Sequence, residues 1–402
     1  MCKARTPVRM KKKILAFSLC LLMTFQAIAR GEQVASHEKD PWRGDRDVLS
    51  VRQLPSRGLF VSLIQNPPIF SSREAMIKLV AFAKKARVKI LFIQNYRANQ
   101  AWFPSKVADS SLYETALKML GEDPFAFLIK EAHGAGIEVH AWINMLSLST
   151  NEQAPLLKKY GPDILTRNLE KKGSLADYKI DNQYFLEPGD TRVRKELVTI
   201  VEEIVGAYPQ LDGIQFDYIR YPDSHPRYGY TKINMERFKN ATGFKKIEEG
   251  SRAWNDWKRA QVTELLSLLV QKARAVRPSI QVSATGCMSY ARALFEAFQD
   301  WPSWVNTSLV DFVTVMNYSA DPAEYARWNG VAKTKVVDLK KLYVGVPAYK
   351  LLQSAEIFRT EWRSCEKSGA ALCAVFHYGS ILENPALEEP LLAANRKEWK
   401  SL

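Results

Sequence analysis

Cysteine and histidine are scarce in this chain, with five of each among 402 residues. Five cysteines at that length are no disulfide scaffold, and the chain is long enough to bury its own core. No His, Cys, Asp or Glu group has metal-ligand spacing, so neither a metal nor another cofactor is expected. No Gly-rich phosphate turn follows the first strand candidate, which disfavours a doubly wound nucleotide-binding sheet. Internal repeats and low-complexity tracts are absent as well. Apolar residues make up 47% and charged residues 25%. These values exclude a mainly disordered chain, a collagen-like chain and a polytopic membrane protein.

Acid is missing from the first 29 residues, which carry Lys3, Arg5, Arg9, Lys11, Lys12 and Lys13. An apolar run over 14–25 and the small-residue site Ala27-Ile28-Ala29 follow. A basic start, a short apolar run and an A-x-A site form the pattern of a secretory signal cleaved after Ala29. The alternative is a retained anchor, but the run is shorter than the roughly 20 residues a span requires. The mature protein is therefore expected in the periplasm, the cell envelope or the exterior, with no integral span. Cleavage would remove six cations and lower the formal charge from +14 to +8. The remaining Lys and Arg are interleaved with acids along helical stretches, as on a solvated surface, and no nucleic-acid module is present. Nucleic acid is not an expected partner. Cleavage would also remove Cys2 and Cys20, leaving Cys365 and Cys373 able to pair and Cys287 over.

Residues 30–50 are polar and aperiodic and read as a linker or leading arm. From 51 to 402 short apolar runs alternate with longer amphipathic ones. Strand candidates lie at 59–64, 88–94, 137–144, 211–219, 280–285, 312–318, 342–349 and 372–377. They are nearly continuous in apolar or β-branched residues, as strands buried on both faces should be. Helical patterns separate them. One begins at Ser71-Ser72-Arg73-Glu74 with capping-box spacing, another at Asp123-Pro124, a third after Asp190, and a long fourth runs over 254–275. Shorter ones follow at 290–301, 322–328, 355–367 and 386–399. Eight strand–helix units over about 350 residues predict an α/β fold, a (β/α)8 TIM barrel with long βα loops.

In such a barrel the chemistry sits at the carboxyl ends of the strands. The most specific stretch is DGIQFDYIRYP at 212–222. Alternation places Gln215, Asp217 and Ile219 on one face, with Asp217 near the strand's end and Arg220 and Tyr221 just beyond. The alternative for Asp217 is an ion pair with Arg220 that holds the loop. Asp212-Gly213 reads as a turn into the strand. On the third strand His140, Trp142 and Asn144 share a face, although His140 and Trp142 are equally readable as barrel core. Asn95 ends the second strand, Asn317 and Tyr318 the sixth, Tyr349 the seventh and His377 the eighth. Aromatic faces and amide groups at these ends suit the binding of sugar rings and hydroxyls.

The 212–222 stretch resembles the fourth-strand signature of the glycosyl-hydrolase-like family 10 proteins, secreted or envelope TIM-barrel enzymes that act on glycans. The segment 184–190 leading into TRVRKELV resembles that family's LxPGxPxVRxxxV segment. The helix containing 257–262, with Arg277-Pro278, resembles the element that follows. The resemblance spans roughly 55–350 and departs at SATGCMSY (283–290) and VTVMNYS (313–319). It implies hydrolysis of a polysaccharide or peptidoglycan-type glycan. Family 18 chitinases share Asp212, Gly213 and Asp217 of their fourth-strand motif. Here, however, Ile219 stands at the position of their proton donor, so chitinase chemistry is not expected.

Glycoside hydrolysis normally uses two carboxylates. Asp217 is the first by position. Glu187, matched by the resemblance, is the leading partner, with a loop-packing role as its alternative. Asp321 is the reserve, unless it caps the helix that follows. Expected substrate-binding residues are Asn95, His140, Trp142, Asn144, Arg220, Tyr221, Asn317 and Tyr318. Phe103, Tyr113 and the segment 225–230, with Tyr228 and Tyr230, are expected to wall the cleft. A glycan-binding barrel without hydrolytic activity is the alternative function.

Overall fold

The computed structural model describes residues 54–170 and 172–393. The expected signal at 1–29, its cleavage after Ala29, the arm at 30–50 and the end of the last helix candidate lie outside these residues.

Eight parallel strands close into a barrel: β1 (Ser56–Val61), β2 (Val88–Arg97), β3 (Glu138–Asn144), β4 (Gly213–Asp217), β5 (Gln281–Cys287), β6 (Phe312–Met316), β7 (Leu342–Val346) and β8 (Leu372–Val375). Each pairs with its neighbours in sequence, and β1 pairs with both β2 and β8, which closes the ring. Because every strand is parallel, all eight carboxyl ends face one side. The predicted eight-stranded α/β barrel is the fold observed.

The first helices start where the sequence provides caps. Ser72 accepts from the Ala75 amide ahead of α1 (Arg73–Lys85). Asp123 accepts from the Phe125 and Ala126 amides ahead of α2 (Pro124–Gly134), with proline first. Asp190 accepts from the Arg192 amide ahead of α3 (Thr191–Ala207), and Ser251 caps α4 (Arg252–Val276). Further round lie α5 (Trp301–Asn306), α6 (Pro322–Lys335), α7 (Ala355–Ser368) and α8 (Tyr378–Glu383). The expected helix at 290–301 is instead two short ones, Tyr290–Phe295 and α5. Cys365 on α7 is disulfide-bonded to Cys373 on β8, and Cys287 is free and buried.

The barrel interior is filled by Phe60, Ile90, Phe92, Trp142, Phe312, Leu372 and Ala374. Phe60 stacks on Phe92 with centroids 4.6 Å apart and meets Trp142 edge-on at 5.3 Å. Fully burying one such side chain contributes about 1.5–3 kcal/mol relative to exposure, so this layer is a packed plug beneath the strand ends. His140 sits at its lower side, fully buried against Phe92 and Phe312. The β3–β4 register pairs His140 with Gly213. A Cβ at Gly213 would come within 2.4 Å of the imidazole, so glycine is the residue that lets the ring occupy the barrel axis. The same register sets Asn144 beside Asp217 at the other end.

Candidate active site

β4 is shorter at both ends than its apolar run. Before it, the turn falls at 209–210 rather than at Asp212-Gly213, and Asp212 Oδ2 accepts from the Val139 amide at 2.7 Å. After it, Tyr218 takes a left-handed φ of 54°, an uncommon and strained conformation for an aromatic residue. That conformation brings the Tyr218 amide to 2.7 Å from Asp217 Oδ1.

Asp217 is thereby fixed at the strand end. Its Oδ1 also accepts from Thr285 Oγ1 at 2.6 Å, and its Oδ2 accepts from Trp142 Nε1 at 2.9 Å and Asn144 Nδ2 at 3.0 Å. All four partners are donors, the set that an acceptor-only carboxylate satisfies. The Arg220 guanidinium lies 3.9 Å away and packs over the Tyr218 ring at 4.2 Å. A chain of amides reaches back to β1. Ser62 Oγ donates to Gln94 Oε1, and Gln94 Nε2 donates to Asn144 Oδ1, both at 2.8 Å. Three strands and the loop after β1 therefore set the orientation of one carboxylate.

Above Asp217 opens a cavity of about 510 Å³ at the carboxyl ends of the strands. Its acids among the described residues are Asp217 and Asp223; its cations are Arg97, Arg220, Arg292 and Lys350. Asp223 faces Arg292 at 3.3 Å. Tyr218, Tyr318, Trp328, Tyr349 and Phe376 supply aromatic walls, and His377 closes one side. Tyr318 packs against Phe376 at 5.1 Å and Tyr349 at 5.5 Å. Among the described residues, no group of three or more His, Cys, Asp or Glu is placed to hold a metal ion.

Of the residues expected from sequence, Asp217, Trp142, Asn144, Arg220, Tyr318, Tyr349 and His377 meet at this cavity. The remaining candidates do not. Glu187 is fully buried and off the cavity wall. It accepts from Tyr221 Oη at 2.5 Å and the Gly189 amide at 3.2 Å through Oε1, and from Thr166 Oγ1 at 3.0 Å through Oε2. Burial pushes its carboxyl upward, against the lowering effect of those donors. Lys258 lies close enough for Glu187 to favour its charge. The loop-packing role is the one its surroundings describe, and Tyr221 is committed to it. Asn317 donates to the Tyr325 carbonyl and to Asn329 Oδ1, both at 2.8 Å, and holds α6 rather than a ligand. His140 belongs to the barrel plug. Asn95 is buried off the cavity, with neither amide atom partnered among the described residues. Asp321 and Asp190 are helix caps.

The expected loop walls also move. Phe103, Tyr113, Tyr228 and Tyr230 are buried, and none lines the cavity. Tyr113 Oη donates to Asp123, and Tyr230 packs on Trp254 at 5.2 Å. Residues not singled out from sequence take their place on the cavity wall, namely Asp223, Arg97, Arg292, Trp328 and Lys350, while Thr285 holds Asp217. Thr285 had a signal, since it alternates with Ser283 and Cys287 along β5. The others had none, because strand alternation stops at Arg97 on β2 and does not cover Asp223, Arg292, Trp328 or Lys350.

A family model described as "Glycosyl hydrolase-like 10" matches residues 57–364. Among curated proteins the chain is similar to glycosyl hydrolase DigH of Escherichia coli (strain K12), at 24% identity over 340 residues covering 75% of each chain. It is also similar to glycosyl hydrolase YngK of Bacillus subtilis (strain 168), at 25% identity over 301 residues, 69% of this chain and 56% of that protein. Among solved structures it is similar to the catalytic domain of beta-amylase from Paenibacillus polymyxa, with a TM-score of 0.54 and 10% identity over 85% of this chain and 98% of that one. The beta-galactosidase of the psychrophilic Marinomonas ef1 gives a TM-score of 0.55 and 11% identity over 85% and 59%. At these identities the two structures speak to the fold alone.

Proposed function

The chain belongs to the glycosyl hydrolase-like 10 family, and from that premise we propose that it cleaves O-glycosidic bonds in a polysaccharide or cell-wall glycan by carboxylate chemistry. The observation that carries this reading is Asp217, held by four donors at the end of β4 on the floor of an aromatic-walled cavity. Asp217 is the carboxylate that faces the reacting sugar. Asp223, the other acid on the cavity wall, takes the place that sequence reasoning assigned to Glu187. Tyr318, Tyr349 and Trp328 offer faces for sugar rings. Four cations against two acids suit a glycan that itself carries carboxylates.

Export to the periplasm, envelope or exterior belongs to the same proposal. The acid-free basic start, the apolar run at 14–25 and the Ala27-Ile28-Ala29 site support it. The Cys365–Cys373 bond supports it too, since disulfides persist in oxidising compartments.

The test is release of reducing ends from peptidoglycan glycan strands and from a panel of polysaccharides. Asp217→Asn is expected to fold as the parent does and to lose turnover by about 10³-fold or more. Equal turnover by the Asn variant would overturn the assignment. Binding without any release by the parent protein would replace hydrolysis with the glycan-binding barrel.

A further inference from the structure

A second cavity, of about 840 Å³, lies beside the Asp217 cavity, and His377 lines both. Two loops divide them. After β1, Ile64 faces the first cavity and Gln65 the second; after β8, Phe376 faces the first and Tyr378 and Gly379 the second. The remaining wall comes from the start of α1, including Ala75 and Lys78, and from Leu382 and Glu383 at the end of α8.

Gln65 is only 7% exposed, yet neither its Oε1 nor its Nε2 has a partner among the described residues. His377 Nδ1 is likewise buried and unpartnered. Buried polar groups in folded proteins are nearly always paired, so an unpaired amide on a cavity wall calls for an explanation. Packing holds both groups in place. A Cβ at Gly379 would sit 2.9 Å from the imidazole Cε1 and 3.1 Å from Gln65 Cβ. Gln65 carries a donor and an acceptor side by side, the complement of an acetamido group or of adjacent hydroxyls. The charges differ from those of the first cavity. Here Glu74 and Glu383 outnumber Lys78, and Lys78 is already paired with Glu74 at 2.7 Å. A wall of that composition suits a neutral sugar rather than an anionic group.

We propose that the second cavity is an additional subsite for a neutral, hydroxyl- or acetamido-bearing sugar, reached from the Asp217 cavity past His377, so that the protein recognises glycan chains of several sugars rather than isolated disaccharides. This rests on the glycan-cleaving reading of the first cavity. Burial holds His377 below the usual imidazole range, which leaves a neutral ring between the two cavities for an unbroken chain to pass.

The experiment is calorimetric titration of Asp217→Asn protein with peptidoglycan glycan oligomers of two to six sugars. Affinity is expected to rise at least about tenfold from the shortest to the longest oligomer. Gln65→Leu, which removes the unpaired amide, and Ala75→Phe, which fills the cavity from α1, should each cut that ratio to about threefold or less. A length ratio unchanged in both variants, or no length dependence in the parent, would overturn the subsite and leave the Asp217 site standing. No binding of any oligomer by the parent would overturn the glycan reading and the subsite with it.

Discussion

Trp142 Nε1 donates to Asp217 Oδ2 across 2.9 Å while the same indole packs edge-on against Phe60 inside the barrel. One side chain therefore joins the hydrophobic plug to the carboxylate on the cavity floor. A change in the plug that moves the indole also moves the donor to Asp217 Oδ2.

Trp142→Phe keeps most of the packing and removes the donor. We expect kcat on the glycan substrate to fall about tenfold to a hundredfold, because a carboxylate displaced by even about 1 Å loses its aim. Melting temperature should change little. Steady-state kinetics alongside thermal unfolding checks both, and an unchanged kcat would mean that the indole only fills space.

Asp223→Asn tests the second carboxylate. Loss of an acid or base costs about 10²–10⁴ in rate, and kcat/KM should fall by that factor. Glu187→Gln should keep kcat/KM near the parent value, because Glu187 is buried away from the cavity. The reverse pattern would restore Glu187 as the partner.

Lys258 is buried and donates to the Pro226 carbonyl at 2.7 Å. Burial brings its ammonium down to about 7, although Glu187 favours the charge. The folded value is lower than the unfolded one, so between about 7 and 10.5 the unfolded chain binds the extra proton. Stability from this group is present above 10.5 and is lost as pH falls toward 7. Lys258→Met should remove that slope, an effect on the order of a few kcal/mol, as read by denaturant titration at pH 7 and pH 10.

Glu361 on α7 has the opposite sign. It is fully buried, neither carboxyl oxygen has a partner among the described residues, and burial, then Asp321, raises it to about 8. Between 4.5 and 8 the folded state holds the proton that the unfolded chain has released. Stability from this group is therefore present below 4.5 and is lost as pH rises through 8. Glu361→Gln should remove the loss and stabilise the protein at pH 9 by a few kcal/mol at most, with little effect at pH 4. Equal melting temperatures of the two proteins at pH 9 would count against it.

The barrel was legible because its causes are local. Eight nearly continuous apolar runs and helix starts at Ser72, Asp123 and Asp190 are each written within a few residues. Asp217 was legible for the same reason: a carboxylate at the end of a buried strand has few structural roles. Glu187 misled because its segment matches the family resemblance, while its burial under Tyr221 and Thr166 depends on contacts 34 and 21 residues away.

The sequence by itself determined the alternation that makes a closed parallel barrel, and with it the end at which Asp217 sits. Only the tertiary structure decided which groups surround it. Thr285 and Asp217 are 68 residues apart and meet because β4 pairs with β5 in the register that sets Phe216 beside Ala284. Asp223 reaches the cavity from a loop, Arg292 from the short helix Tyr290–Phe295 and Trp328 from α6. Loops carry no periodicity from which a facing direction could be read, so which of their side chains turn inward depends on the packing of every strand and helix beneath them.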